Sequence, residues 1–309
     1  MQYVIGIDLG GTKTAAGVVA ADGTVLYSGQ TPTLNRAGGE AILDATAALA
    51  TSLRAQAAAD GIEVSAIGMG SAGVIDAEAG TVISATDAIL GWTGTDIFTG
   101  LTQRTGLDVS VVNDVHAHAL GEAWLGAAAG TSSSLLVAFG TGVGGSFVLN
   151  GHPVLGHRFV GGHVGHFASP YAYHDGVALD CSCGHAGHVE AIASGPAIHA
   201  SFLRFGGSAA VPDTRAVFDL ARGGDATARK AIGVGAGAAG QAVGGMVNIL
   251  DPAVVVVSGG LADAGELWWG AMERALRQEL LAPLADVPVL RATLGNTAAI
   301  VGAASLVFN

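Results

Sequence analysis

Three glycine turns and one strand-end carboxylate hold the chemistry this sequence can support. The first turn, Asp8-Leu9-Gly10-Gly11-Thr12-Lys13-Thr14, lies between two apolar runs. Glycines let backbone N–H groups approach a phosphate, and Thr12 and Lys13 add a hydroxyl and a positive charge. Asp8, at a strand end, could hold Mg²⁺ through water. A tight hairpin with a solvated lysine reads the same residues equally well. The second turn is Gly140-Thr141-Gly142-Val143-Gly144-Gly145. Thr141 could donate to a phosphate, although a structural turn also explains a lone glycine run. It has neither the lysine of a Walker A loop nor a helix directly after it, so it is not a P-loop. The third turn, Ser258-Gly259-Gly260-Leu261, follows an apolar strand; its small residues would admit an adenine ring or ribose, or simply make a strand-to-helix turn. Asn113-Asp114 closes another apolar strand. A carboxylate at a strand's carboxyl end, in a crevice between lobes, could accept a proton from a hydroxyl. Asp114 could equally cap the helix that follows.

The elements that must position these groups come from periodicity and turn chemistry. Strands are expected at Val4–Ile7, Thr14–Ala20 and Thr24–Ser28, with Asp22-Gly23 as a hairpin turn. A helix is expected over Glu40–Ala59, strands at Val64–Met69 and Val109–Val112, and a helix over His116–Leu125. The pattern then recurs: a strand at Leu135–Phe139, a glycine turn, a strand through Phe147–Leu149, and the hairpin turn Asn150-Gly151. This weak internal repeat suggests two related α/β lobes. Residues 152–190 interrupt it; they read as irregular and hold seven of the ten histidines and both cysteines. Helices are expected at 213–222, 225–250, 265–282 and Asn296–Phe308, with a strand at Ala253–Val257. The lobes are expected to meet near 115–120, the last helix crossing back.

The chain has 309 residues, 50% hydrophobic and 12% charged, enough for a large core and too apolar for disorder. A net charge of −12 without a basic run argues against nucleic acid as a partner. Two cysteines do not make a secreted disulfide framework. The start, MQYVIGIDLGGT, has no basic n-region and no small-residue cleavage pattern, so it reads as a buried strand of a cytoplasmic protein. Ala231–Leu250 has no charge and membrane-span length, but its Gly/Ala content with Gln241 and Asn248 reads as a packed internal helix, not a membrane partner.

Taken in order, these motifs resemble the ROK family (repressor, open reading frame, kinase). They are joined by Gly161-Gly162-His163-Val164-Gly165-His166, by Cys181-Ser182-Cys183-Gly184-His185-Ala186-Gly187-His188 and by Glu190–Gly195. The resemblance runs from about Tyr3 to the end. It implies the two-lobed actin-like (ribonuclease H-like) α/β fold of the sugar kinase superfamily. An N-terminal lobe of 1–117 would be joined by the C-terminal helix 296–309, and a lobe of 118–295 would hold a zinc-binding insertion near 152–190. It implies ATP-dependent phosphorylation of a hexose or N-acyl-hexosamine, usually at C6, with Asp114 as general base. Asn113, Gly73, Thr86, His163, His166 and Glu190 would contact or line the sugar. Asp8, Gly10, Gly11, Thr12, Lys13 and Thr14 would hold the ATP phosphates with Mg²⁺, together with Gly140, Thr141, Gly142 and Gly144. Gly259 and Gly260 would lie near adenosine. A homodimer is also implied.

The family binds a structural zinc with one histidine and three cysteines, and here His188 stands at the last cysteine position. The implied ligands are His166, Cys181, Cys183 and His188, still a tetrahedral set but with one negative charge fewer. Loss of zinc, with the thiols simply packed, is the alternative. Many family glucokinases have Glu at the position of His163, while some N-acetylmannosamine kinases have His. The sequence therefore leans to N-acetylmannosamine, with glucose next. The Ala88–Trp92 stretch lacks the asparagine that many glucokinases have before Gly-Trp. Polyphosphate in place of ATP remains open. A repressor would need a winged helix before the first phosphate loop, which starts here at residue 8. A non-catalytic, sugar-responsive regulator leaves Asp114 and both phosphate loops without a use. An actin-type filament protein leaves the His/Cys segment and Glu190 unexplained.

Overall fold

The computed structural model describes residues 1–308. In chain order the first elements are β1 (Tyr3–Leu9), β2 (Lys13–Ala20), β3 (Val25–Pro32), α1 (Gly39–Ala59), β4 (Val64–Ser71), β5 (Val74–Asp76) and β6 (Thr81–Ser84). They continue with α2 (Ile97–Thr105), β7 (Asp108–Asn113), α3 (Asp114–Trp124), β8 (Ser133–Phe139), β9 (Val143–Leu149) and β10 (His152–Pro153). The short strands β11 (Tyr173–His174) and β12 (Val177–Ala178) precede α4 (Glu190–Ala193), α5 (Gly195–Arg204), α6 (Thr214–Arg222) and α7 (Ala226–Leu250). The chain closes with β13 (Val254–Ser258), α8 (Glu266–Glu279), β14 (Val289–Arg291) and α9 (Ala298–Ser305).

Two five-stranded sheets have the same internal order, β3-β2-β1-β4-β7 and β10-β9-β8-β13-β14. The repeat expected from the sequence is thus a repeat of topology. In each, a glycine turn links the first two strands and an Asx-Gly hairpin leads to the third. Asn150 and Gly151 take φ of 50° and 80°, as a two-residue hairpin turn requires. β1 and β8 share the same burial pattern. β1, β4 and β7 are parallel, as are β8, β13 and β14.

The chain divides into two compact units: 1–132 with 146–162 and 293–309, and 133–145 with 163–292. The boundary expected near 115–120 falls inside α3. That helix belongs wholly to the first unit because it packs along α9. A Cβ on Gly302 would sit 1.8 Å from the Ala117 carbonyl oxygen, so only glycine lets the two helices approach this closely. The 152–190 segment is also divided, at Gly162.

In the first unit β1 is buried on both faces, and the period of two decides what each face meets. Ile5, Ile7 and Leu9 join Leu43, Leu53 and Trp92 in the larger core, on the side of α1. Val4 packs with Ile300 and Ala304 of α9. Asp8 shares the parity of Val4 and so lies on the face covered by α3 and α9. Buried Glu122 of α3 fixes the returning chain: its carboxylate accepts the N–H groups of Ala127 (2.8 Å), Thr293 (3.0 Å) and Leu294 (2.8 Å).

In the second unit, α7 contains the uncharged Ala231–Leu250 stretch and packs against α8. Its glycines serve close packing: a Cβ on Gly240 would meet the Met272 carbonyl oxygen at 2.1 Å. Among the described residues no helix is long and apolar enough to cross a membrane. The fully buried Trp268 of α8 packs against Phe139, ring centroids 5.4 Å apart.

Candidate active site

In the first unit, the phosphate-type turn is built from local bonds. Gly10 N–H donates to the Lys13 carbonyl at 3.1 Å, closing the β1–β2 turn. The Thr33 hydroxyl donates to Gly10 O (2.8 Å) and the Asn35 amide to Gly11 O (2.8 Å), so the turn is held from β3's end. Thr12 and Lys13 are exposed. Thr14 differs from its expected role as a phosphate contact. It is 1% exposed and its hydroxyl meets that of Thr33 at 3.0 Å, because its place on β2 turns it into the core. Thr14 shapes the turn from inside.

Asp8 and Asp114 stand at the carboxyl ends of the parallel strands β1 and β7, where open α/β sheets place their ligands. Burial, then the nearby charge of Asp114, raises the Asp8 pKa to about 6, with Lys13 opposing. Two carboxylates held this way suit a cation between or beside them. Asp114 opens α3 but does not cap it in the usual way. Asn113 is the N-cap, accepting Val115 N–H at 2.9 Å, and the Asp114 side chain accepts the same N–H at 2.9 Å. The Asn113 amide also donates to Gly73 O at 2.8 Å, which ties two of the expected sugar residues together. Gly73 takes φ of 102°, a conformation that favours glycine. Thr86 is exposed near them in sequence, after β6. Asp8, Lys13, Gln30, His118 and Asn296 line a cavity of about 470 Å³. Burial holds the His118 imidazole below its ordinary pKa, against the pull of the Glu122 charge.

In the second unit, the Gly140–Gly145 and Ser258–Leu261 turns come together. The Leu261 N–H donates to Phe139 O at 3.0 Å, and Gly259, at φ 86°, lies so close that a Cβ would be 2.3 Å from that oxygen. Gly140, Thr141, Gly260, Arg215 and Phe218 line one cavity of about 720 Å³, the size of a nucleotide-type site. The contribution of α6 was not read from the sequence. Its only local signal is the cap Asp213, whose side chain accepts Ala216 N–H. Arg222 fixes this wall, donating to Asp219 at 2.6 Å and to Ala264 O at 3.2 Å.

Glu190, the first residue of α4, takes two bonds within the same unit. Its Oε2 accepts Val143 N–H at 2.9 Å and its Oε1 accepts the Ser182 hydroxyl. His163 precedes the single turn Val164–His166, and the His166 N–H donates to its carbonyl at 3.1 Å.

His166, Cys181, Cys183 and His188 converge, their ligand atoms all within 4.8 Å of one another. Cys181 Sγ is 3.5 Å from His166 Nδ1, and Cys183 Sγ is 3.3 Å from His188 Nδ1. Ligands at ordinary zinc distances on a tetrahedron stand roughly 3.3–3.8 Å apart, a spacing that these two Cys–His pairs already meet. Burial keeps the His166 imidazole below its ordinary pKa, in the neutral form a metal needs. Burial raises the Cys181 thiol, a shift that a bound cation would reverse.

Two parallel-cored sheets of the same strand order, with turns of this kind on each, define an actin-like ATPase fold. The ROK family model matches residues 4–309, and the chain belongs to that family. It is 32% identical to the glucokinase of Thermotoga maritima, covering 98% of this chain and 96% of that protein. The ROK hexokinase of Thermus thermophilus superposes with a TM-score of 0.84 at 36% identity, over 98% of this chain and 97% of that one. The ROK glucokinase of Streptomyces griseus, solved with glucose and AMPPNP, superposes at 0.80 with 30% identity and 98% coverage of both chains. The chain is a sugar kinase of this family.

Proposed function

We propose that the chain transfers the γ-phosphoryl group of ATP to the C6 hydroxyl of a hexose, with glucose as the first reading. The observation that carries this is Asp114, a carboxylate at the end of β7 beside Asp8 and next to Asn113, whose amide is tied to Gly73. Asp114 takes the proton from the attacking hydroxyl. Asn113, Gly73 and Thr86 border the sugar, and His163, His166 and Glu190 contact its ring, as the family resemblance implies. Asp8 holds Mg²⁺ through water; Gly10, Gly11, Thr12 and Lys13 face the phosphates, as do Gly140, Thr141, Gly142 and Gly144. Gly259 and Gly260 face adenosine. Such a site works by positioning and charge stabilisation, as phosphoryl transfer demands.

Glucose and ATP are supported by relatives named glucokinase and by the Streptomyces griseus enzyme solved with glucose and AMPPNP, while other relatives are named N-acetylglucosamine kinase. A second reading, N-acetylmannosamine, rests on His163, whose imidazole can donate as well as accept where a carboxylate only accepts. Zn²⁺ on His166, Cys181, Cys183 and His188 is structural: it would fix the loop that presents His163 and His166. Unpaired cysteines and ATP as donor support a cytoplasmic enzyme, and the homodimer rests on the family resemblance alone. ADP release with Mg-ATP across glucose, mannose, N-acetylmannosamine, N-acetylglucosamine, fructose and allose tests the activity. A parallel series with polyphosphate tests the donor, and light scattering the assembly. Absence of ADP release with every sugar would overturn the reading.

A further inference from the structure

Gly142 does not take a positive φ, so its backbone conformation does not call for glycine. A Cβ there would sit 2.8 Å from Glu190 Oε2. The carboxylate occupies the place where a side chain would stand, and from there it takes the Val143 N–H. The Val143 N–H is therefore committed to protein. What it contributes to the turn is a tether, and a second tether is Gly195 N–H on Gly140 O at 2.8 Å. The other carboxylate oxygen of Glu190 accepts the Ser182 hydroxyl, and Cys181 Sγ lies 4.0 Å from it. Ser182 sits between the two cysteines of the metal-type cluster. A continuous path runs from the Cys181–Cys183 loop through Ser182 and Glu190 to the backbone of the Gly140–Gly145 turn.

We propose that Ser182 is a positioning residue for the phosphate turn: it fixes the Glu190 carboxylate, and thereby makes the conformation of the Cys181–Cys183 loop felt as affinity for nucleotide phosphates. This rests on the reading of Gly140–Gly145 as a phosphate turn. A carboxylate held at both oxygens has one orientation. Without the Ser182 hydroxyl it can rotate, and the Val143 N–H then loses its fixed acceptor. The sugar need not be present for this effect, because every group named belongs to one unit.

The test is titration calorimetry with Mg-AMPPNP and, separately, with adenosine, in the absence of sugar. The wild type is compared with Ser182→Ala and Ser182→Thr, with bound metal counted in each. Ser182→Ala is expected to weaken Mg-AMPPNP about tenfold, the scale of one hydrogen bond to a charged group. Adenosine binding and metal content should stay as in the wild type, and Ser182→Thr should restore the loss. In turnover, the KM for ATP should rise by a similar factor with kcat little changed. Unaltered Mg-AMPPNP affinity in Ser182→Ala would overturn the proposal while leaving the kinase reading intact. An equal loss for adenosine, or a loss of metal, would also overturn it. A wild type that binds no Mg-AMPPNP would overturn the kinase reading together with the proposal.

Discussion

Asp8 feels the charge of Asp114: burial first, and then that charge, lifts the Asp8 pKa from 3.8 to about 6 even though Lys13 pulls the other way. The native state therefore binds the Asp8 proton more tightly than the unfolded chain does. Stability on this account is highest below about pH 4, falls as pH rises to about 6, and stays lower above that. Asp8→Asn removes the term. In nucleotide-free, metal-free protein it should stabilise the fold at pH 7.5 by up to about 3 kcal/mol, with the gain vanishing toward pH 4. Urea unfolding across that range checks it, and turnover should fall sharply in the same variant. A gain that does not depend on pH would show that Asp8 is not the source.

Asp114→Asn keeps shape and the bond to Val115 N–H but removes the carboxylate that we propose as the base. We expect kcat to drop about a thousandfold, the scale of general-base catalysis, with sugar affinity by calorimetry within a fewfold of the wild type. Near-normal turnover would overturn the role of Asp114.

Protein prepared without chelator should contain one zinc per chain. Cobalt substitution should give the absorption of a two-thiolate, two-imidazole tetrahedral site, and Cys183→Ser should weaken the thiolate band and lower metal affinity. A cobalt spectrum without thiolate character would remove Cys181 and Cys183 as ligands.

His163→Glu should move preference toward glucose over N-acetylmannosamine, measured as the ratio of the two kcat/KM values. An unchanged ratio would show that His163 does not select the sugar.

Glu122→Gln leaves volume unchanged but replaces an acceptor-only carboxylate with an amide that cannot serve three N–H groups. Thermal unfolding should show a loss of about 2 kcal/mol, since hydrogen bonds to a buried charge are involved. A loss within error would mean that the Thr293–Leu294 segment is held by packing alone.

Much of this was legible in the sequence because the signals were local. The strand before Asp8, the hairpins at Asp22-Gly23 and Asn150-Gly151, and the long helix over 225–250 all follow from period and turn residues. The convergence of His166, Cys181, Cys183 and His188 was reached through family resemblance, not through spacing. What could not be read depends on contacts far apart in sequence. Thr14 turns inward through its place on β2 and finds its hydroxyl partner in Thr33, far along the chain. Ser182 acquires its role only when α4 brings Glu190 beside it. The wall supplied by Arg215 and Phe218 exists only once α6 packs beside two glycine turns. Helix α2 went unread because its apolar positions are few and its clear signals are the cap Asp96 and the closing Gly106. The domain boundary differs for a similar reason: α3 belongs with a helix far along the chain, and the close approach of the two runs through Gly121 on one and Gly302 on the other.

The path of the chain through the first unit has a consequence for biosynthesis. That unit is assembled from three stretches, the last of which begins at Thr293. While the ribosome is still translating the second unit, β1 has no α9 to cover Val4, and the Glu122 carboxylate lacks the donors Thr293 and Leu294. The half that presents Asp8 and Asp114 cannot complete its fold until the second unit has been made in full. An unfinished chain would thus have the cavity beside Gly140 and Gly260 before Asp114 was packed in place.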